Sequence, residues 1–316
     1  MSEPAISKSA AARSAGQPGA PPSSGSATRQ PAAPSGRISR RFQELSAAAE
    51  MGIVAYITAG DPSLEASEKI VLAAAQAGAD VIELGVPFSD PVADGPTIQR
   101  ASERALRSGT TLASILDLVK RLRTHTAVPL ILFSYFNPLL QMGLEKFADA
   151  AAAAGADGVL ATDLTLEEAS AYRGILHARG LDTIFLGAPT STDARLKQIA
   201  ESSTGFLYLI SRTGVTGERD ALPADLPAMV RRARKFTALP IAVGFGISLP
   251  THVTLLGGIA DAAVVGSALV AEIEKSSSAD AAAAAVAARV RTLKSAAREG
   301  VSKRSKNPGN SGEIDG

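Results

Sequence analysis

The sequence predicts an α/β protein, a closed (β/α)8 TIM barrel carrying an extra N-terminal helix, and three observations predict it. Between Ile53 and Val270 one unit recurs: a short β-branched or aliphatic run, a loop, then an amphipathic segment. The runs are apolar on both faces, as parallel strands buried under helices must be. There are eight such units, the number that closes this kind of barrel. An open doubly wound sheet is the alternative, but it wants a G-x-G-x-x-G loop after the first strand. The first loop here is Ala59-Gly60-Asp61-Pro62.

The elements follow in order. Residues 37–51 read as a helix ahead of the barrel, with Ile38, Phe42 and Leu45 on one face to close the barrel bottom. Strands are expected at 54–58, 81–84, 130–134, 158–161, 183–186, 206–210, 241–244 and 262–265. Helical patterns lie between them at 63–77, 112–125, 144–154, 166–179, 193–201 and 222–236. Ala-Gly-Ala-Asp occurs at 77–80 and again at 154–157, each time putting Gly at a helix C-cap just before a strand. Residues 279–297 read as an Ala-rich helix, and 298–316 as a polar tail. The expected division is therefore a disordered extension over 1–36, a barrel over 37–275, and a helix with its tail over 276–316.

Composition narrows the function. Of 316 residues, 46% are hydrophobic and 20% charged, which suits a globular enzyme with a large core. The net charge of +1 gives no field that favours nucleic acid or a membrane surface. Cysteine is absent, which excludes disulfides, thiolate metal sites and a cysteine nucleophile. The three histidines, His125, His177 and His252, stand far from any acidic cluster with ligand spacing, so no metal is expected. No apolar run reaches the ~18–20 residues of a membrane-spanning helix. Residues 1–36 are rich in Ala, Ser, Pro and Gly and lack the apolar core of a secretory signal. Their weak likeness to an organelle transit peptide is the alternative to a tail on a cytoplasmic protein.

In such barrels chemistry sits at the C-terminal ends of the strands. Alternation along the second strand puts Val81, Glu83 and Gly85 on one face and Ile82 and Leu84 on the other. The aliphatic pair faces helices, so Glu83 points into the barrel mouth. A buried carboxyl without a cation has its pKa raised, and one that titrates near neutrality both donates and accepts a proton. The rival is a Glu paired with a buried Arg or Lys; no basic residue occupies the other strands. The loop that follows, 86–96, holds Asp90, Asp94 and prolines 87, 91 and 96. Asp94 is eleven positions past Glu83, within reach of the mouth; its rival role is capping the helix that starts near Thr97. Gly-bearing loops follow strands six, seven and eight: 211–217, 244–248, and Gly266-Ser267 leading into a helix. Glycine admits close backbone approach, and N–H groups at a helix start bind phosphate. Structural turn glycines are the alternative.

The segment 83–106, ELGVPFSDPVADGPTIQRASERAL, resembles the signature of the tryptophan synthase alpha chain family. AYITAGDP (55–62), SYFNPLLQMGLEKF (134–147), LISRTGVTGER (209–219), GFGIS (244–248) and VVGSALV (264–270) extend the resemblance over roughly 50–275. It implies the retro-aldol cleavage of indole-3-glycerol phosphate to indole and glyceraldehyde 3-phosphate. Glu83 matches the family's general acid/base and Asp94 the carboxylate that meets the indole N–H. Phosphate binding carries over to Gly217, Gly246, Gly266 and Ser267. The indole would lie against Tyr56, Phe133, Tyr208, Thr216, Phe245 and Val264, of which Phe133 and Val264 read equally well as barrel core. The resemblance further implies no cofactor on this chain, and an α2β2 complex with a pyridoxal-phosphate beta chain that receives the indole. Loop 86–96, Asp90 included, and 134–143 would face that partner. Ala55 stands where the family commonly has Pro, and Ala-Thr-Asp-Leu-Thr (161–165) where it has Pro-Asp-Leu-Pro, with Asp163 kept. The rival functions are a standalone lyase releasing free indole, another phosphate-binding barrel of amino-acid biosynthesis, and a catalytically dead activator of a beta chain.

Overall fold

The computed structural model describes residues 36–210, 222–244 and 246–306, with side chains as far as residue 302. The expected N-terminal extension and most of the polar tail lie outside the described residues. Helix α1 (Arg37–Ala47) precedes strand β1 (Gly52–Thr58). Helix α2 (Leu64–Gln76) then leads to β2 (Val81–Gly85), and α3 (Pro96–Arg107) and α4 (Leu112–Arg123) to β3 (Leu130–Ser134). Two helices, α5 (Phe136–Met142) and α6 (Leu144–Ala154), come before β4 (Gly158–Ala161). After α7 (Ala169–His177) come the two-residue strands β5 (Asp182–Thr183) and β6 (Leu186–Gly187). The chain continues through α8 (Asp193–Ser202), β7 (Leu207–Ile210), α9 (Leu226–Arg234) and β8 (Ile241–Gly244). It ends with α10 (Pro250–Leu256), β9 (Ala262–Val265), α11 (Ser267–Lys275) and α12 (Ala279–Lys306).

All strand pairs are parallel, in the order β5-β4-β3-β2-β1-β9-β8-β7-β6. The first and last strands pair, with Gly52–Ala55 beside Ala262–Val265. β5 and β6 are the two ends of one extended segment, 182–187, which pairs with β4 through its first half and with β7 through its second. That segment closes the ring of eight. The expected fifth strand is thus split in two. β7 starts only at Leu207, so side-chain oxygens stand in for a ladder: Thr183 N–H donates to Thr204 Oγ1 at 2.9 Å, and Phe185 N–H to Ser203 Oγ at 3.3 Å.

Two core layers realise the strand alternation. Ile53, Ala55, Ile57, Ile82, Leu84 and Leu132 pack outward against helices. Val54, Tyr56, Val81, Ile131, Phe133, Leu160, Tyr208 and Val264 fill the barrel interior, joined from below by Ile38, Phe42 and Leu45 of α1. Phe42 meets Phe206 at 5.7 Å between ring centres. The barrel bottom repeats one device. Asp80 accepts Ile53 N–H at 2.6 Å, Asp157 accepts Leu130 N–H at 2.8 Å, and Asp261 accepts Ile241 N–H at 2.6 Å. Each aspartate ties the start of its own strand to an adjacent strand and is met by arginine: Arg41, the pair Arg37 and Arg123, and Arg234. The two Ala-Gly-Ala-Asp repeats supply the first two; Gly78 (φ +105°) and Gly155 (φ +90°) turn the chain toward them.

Helix ends mostly differ from expectation by a few residues. α9 starts at Leu226 and not 222, with Pro227 in its first turn. The larger difference is α12, which runs through Lys306, past the expected end at 297. Arg, Lys and Glu there are good helix formers, and Gly300 lets the helix cross the end of α10. A Cβ at Gly300 would stand 2.4 Å from Thr254 O, and one at Gly257 2.3 Å from the Gly300 carbonyl carbon. Val286, Val290 and Leu293 on the same helix are fully buried, each worth ~1.5–3 kcal/mol of transfer from water.

Candidate active site

The C-terminal ends of β1, β2, β3, β7, β8 and β9 surround a cleft lined by apolar side chains and a few converging polar groups, the make-up of a small-molecule site. Glu83 forms one wall. It sits in β2 between Tyr56 of β1 and Ile131 of β3 in register, and its side chain is fully buried. Among the described residues neither carboxylate oxygen has a hydrogen-bond partner, and no cation pairs with it. Burial alone pushes the carboxyl up to about 8. The reading of Glu83 as half of a buried ion pair therefore fails.

Tyrosines flank it. The Tyr56 ring meets Phe133 edge-on at 5.2 Å. Its hydroxyl occupies the space above Gly85, where a Cβ would stand 2.1 Å away. The Tyr208 hydroxyl lies above Gly244 in the same way, at 2.3 Å from a built Cβ. Both strand-end glycines thus seat a phenol against the cleft floor. Burial raises both phenols, and the charge of Asp94 adds to it at Tyr56, so both stay protonated at ordinary pH.

Asp94 reaches the cleft from the loop between β2 and α3. The N-cap of α3 is Gly95, and no side chain caps the helix. The helix-cap role for Asp94 is thereby replaced by another. Its Oδ2 accepts the Tyr135 hydroxyl at 3.1 Å, and Tyr135 Oη accepts the Ala93 N–H at 2.9 Å. The Tyr135 ring stacks on Phe88 of the same loop at 5.0 Å. Burial pushes the Asp94 carboxyl up to about 6, against the lowering by Tyr135. Two carboxyls of unlike environment therefore share one cleft. Near neutral pH Glu83 is mostly protonated and Asp94 mostly ionised.

The opposite end of the cleft is made of backbone. Gly246 (φ +82°), Ile247 and Ser248 follow β8, and Gly266, Ser267 and Ala268 open α11. Gly246 takes a left-handed conformation that a side chain would strain. The start of α11 offers free N–H groups and the positive end of its dipole, a fit for a phosphate. A rim network holds the parts together. Buried Asp61, after β1, takes two hydrogen bonds from Arg104 of α3 at 2.7 and 2.8 Å. Arg104 and Arg100 both meet Glu274 of α11.

Of the residues singled out in the sequence, Glu83, Asp94, Tyr56, Phe133, Tyr208, Gly246, Val264, Gly266 and Ser267 line this one cleft. Thr216, Gly217 and Phe245 lie outside the described residues. Ile98, Ile247, Ser248 and Ala268 line it too but were not read from the sequence, because helix first turns and loop backbone carry no alternation signal. Tyr135, behind Asp94, falls in a segment read as partner-facing. Beside the cleft, loop 86–96 exposes Asp90 and leaves Val92 82% exposed, and Leu140 on α5 is 49% exposed. Asp163 accepts the Phe136 N–H at 2.7 Å and so anchors the start of α5.

Comparison with known proteins gives one answer. The sequence profile of the family described as "Tryptophan synthase alpha chain" matches residues 42–298. The tryptophan synthase alpha chain of Solibacter usitatus is 53% identical over 239 residues, 76% of this chain and 90% of its own. That of Geobacter sulfurreducens is 47% identical over 265 residues, 84% of this chain and 98% of its own. Among solved structures, Mycobacterium tuberculosis tryptophan synthase superposes with a TM-score of 0.77 at 34% identity, over 84% of this chain and 99% of that one. The alpha subunit of Pyrococcus furiosus tryptophan synthase, as an E103A mutant, gives 0.72 at 38% identity, over 77% of this chain and 98% of that one.

Proposed function

Because the chain belongs to the tryptophan synthase alpha chain family, we propose that Glu83 is its proton carrier and Asp94 the carboxylate that meets the indole nitrogen. The reaction is the cleavage of indole-3-glycerol phosphate to indole and glyceraldehyde 3-phosphate. The indole passes to a beta chain in an α2β2 tetramer. The observation that carries the assignment is the unlike pair in one cleft: a buried, unpartnered acid at Glu83 and a mostly ionised Asp94.

The chemistry asks for that pair. Protonated Glu83 gives its proton to indole C3, which turns the ring into an indolenine with positive charge at nitrogen. Ionised Asp94 accepts the N–H hydrogen bond and stabilises that charge, and its partial burial strengthens the interaction. The Glu83 carboxylate then takes the proton of the glycerol hydroxyl next to C3. The C–C bond breaks, its electron pair returns to the ring, and indole and the aldehyde form. The proton gained at C3 equals the proton lost from the hydroxyl, so Glu83 ends as it began.

The phosphate is held by backbone N–H groups at Gly246, Gly266 and Ser267, with Gly217 joining them by family resemblance. The indole lies among Tyr56, Phe133, Tyr208 and Val264, with Thr216 and Phe245 assigned to the same wall by that resemblance. No helix of the described residues is long and apolar enough to cross a membrane. A cytoplasmic location is proposed on the chemistry, since a phosphorylated substrate stays in the compartment that makes it; fractionation tests it. The roles are tested by Glu83→Gln in the full chain. Cleavage is expected to fall by at least about a hundredfold, the size of a lost acid/base group, with binding of glycerol phosphate retained. A near-normal rate overturns the assignment.

A further inference from the structure

We propose that Tyr135 is the positioning residue of the cleavage reaction: it orients the Asp94 carboxylate and ties it to the backbone of the loop that carries it. The inference rests on the reading of Asp94 given above. Three contacts support it. The Tyr135 hydroxyl donates to Asp94 Oδ2 at 3.1 Å and leaves Oδ1 unclaimed for a ligand N–H. The Ala93 N–H donates to the same hydroxyl at 2.9 Å. This fixes which way the phenol points and makes it a stronger donor. The ring stacks on Phe88, six residues before Asp94, at 5.0 Å and 29°. One side chain thus holds the loop at Phe88, at Ala93 and at Asp94, while Ser89, Asp90, Val92 and Ala93 between them are exposed.

The anchor comes from outside the loop. Tyr135 is the N-cap of α5, directly after β3, and is buried. The next amide, Phe136 N–H, donates to Asp163 after β4. Asp94 is thereby referred to two barrel strands besides its own. With the Ala93 N–H donating to its oxygen, the phenol turns its own O–H to the carboxylate, and that donated bond favours the ionised form that the indole nitrogen needs. The other titratable groups near the pair are Tyr56 from β1, Glu83 from β2 and Asp163 from the loop after β4.

The test is Tyr135→Phe in the full chain assembled with its beta chain, with indole release measured against pH. Phenylalanine keeps the stack on Phe88 and removes only the hydroxyl. The expected result is kcat down about tenfold, the loss of one hydrogen bond to a charged group, and KM changed by less than about threefold. The acidic limb of the kcat profile is expected to move up by about one pH unit, because the ionised form of Asp94 has lost its donor. The same substitution in the Asp94→Asn background is expected to lower the residual rate no further. An unmoved acidic limb, an equal fold-loss in both backgrounds, or an unchanged kcat each overturn the positioning role. If Asp94→Asn is crippled while Tyr135→Phe is normal, only the tyrosine falls. If Asp94→Asn is fully active, the reading of Asp94 falls first.

Discussion

Replacing Glu83 with Gln makes the barrel's stability less dependent on pH, in an amount the burial predicts. The carboxyl's ordinary value is 4.5, and in the folded chain it stands at about 8. Between those values the unfolded chain has released this proton and the folded chain has kept it. Stability is therefore undiminished below 4.5 and is lost as pH rises toward 8. From about pH 5 to about pH 7 the loss from this residue alone is on the order of 2 kcal/mol, at ~1.4 kcal/mol per unit. Glutamine has the same shape and cannot ionise. The burial of its amide adds a constant that does not change with pH. Urea unfolding of both chains at several pH values measures the difference through the midpoints. The gap should move in favour of Glu83→Gln by that amount as pH rises. Parallel stability curves would refute the reasoning, because they would mean that Glu83 holds no proton that the unfolded chain lacks.

Four further outcomes follow from other parts of the structure. Asp94→Asn should lower indole formation by at least about a hundredfold, and full activity would return Asp94 to a turn residue. The pH profile of kcat/KM should be bell-shaped, with an alkaline limb near about 8 from Glu83 and an acidic limb near about 6 from Asp94. The substrate phosphate titrates near ~6 as well, so the alkaline limb is the diagnostic one, and a profile still flat above it refutes the assignment. Gly85→Ala puts a Cβ 2.1 Å from the Tyr56 hydroxyl, so the ring must leave its seat. Such overpacking should destabilise by ~1–3 kcal/mol and raise KM, and an unchanged KM would remove Tyr56 from the substrate wall. Lys294→Met removes the ammonium that donates to buried Asp80 at 2.9 and 3.1 Å. Arg41 still holds Asp80, so the expected loss is ~2–3 kcal/mol in thermal or urea unfolding, with kcat unchanged.

Much of this was legible because the barrel is regular. β3, β4, β8 and β9 fall at the residues expected, since a parallel strand under helices has no polar face to blur its ends. Glu83 was legible for the opposite reason: one charged residue in an apolar run, on the inward phase of a period-two pattern. The split of the fifth strand was not legible. It depends on the hydroxyls of Ser203 and Thr204 taking ladder positions, and hydroxyls are common in turns for other reasons. α5 and α10 are seven-residue helices, too short for a periodic signal. Asp94 was half legible: its spacing admitted both the cleft and a helix cap. The tyrosine that decides between them is 41 positions away in sequence. Contacts of that separation have no local pattern.

The pairing of the first strand with the last has a consequence for how the molecule is made. β1 borders β9, so its outer edge stays open until the residues of β9, 262–265, have left the ribosome. A nascent chain carrying β1 to β4 presents a bare row of amides and carbonyls, the kind of edge to which other chains add. Asp80 waits longer still, since Lys294 is synthesised 214 residues after it. Arg41, which also donates to Asp80 in the finished fold, is made before it and is the cation expected to hold it until then. Helix α1 covers the interior of the finished barrel with Ile38, Phe42 and Leu45, and being made first it is expected to shield the half-built one in the same way. Removing it should lower the yield of soluble chain during synthesis more than it lowers the stability of the finished barrel.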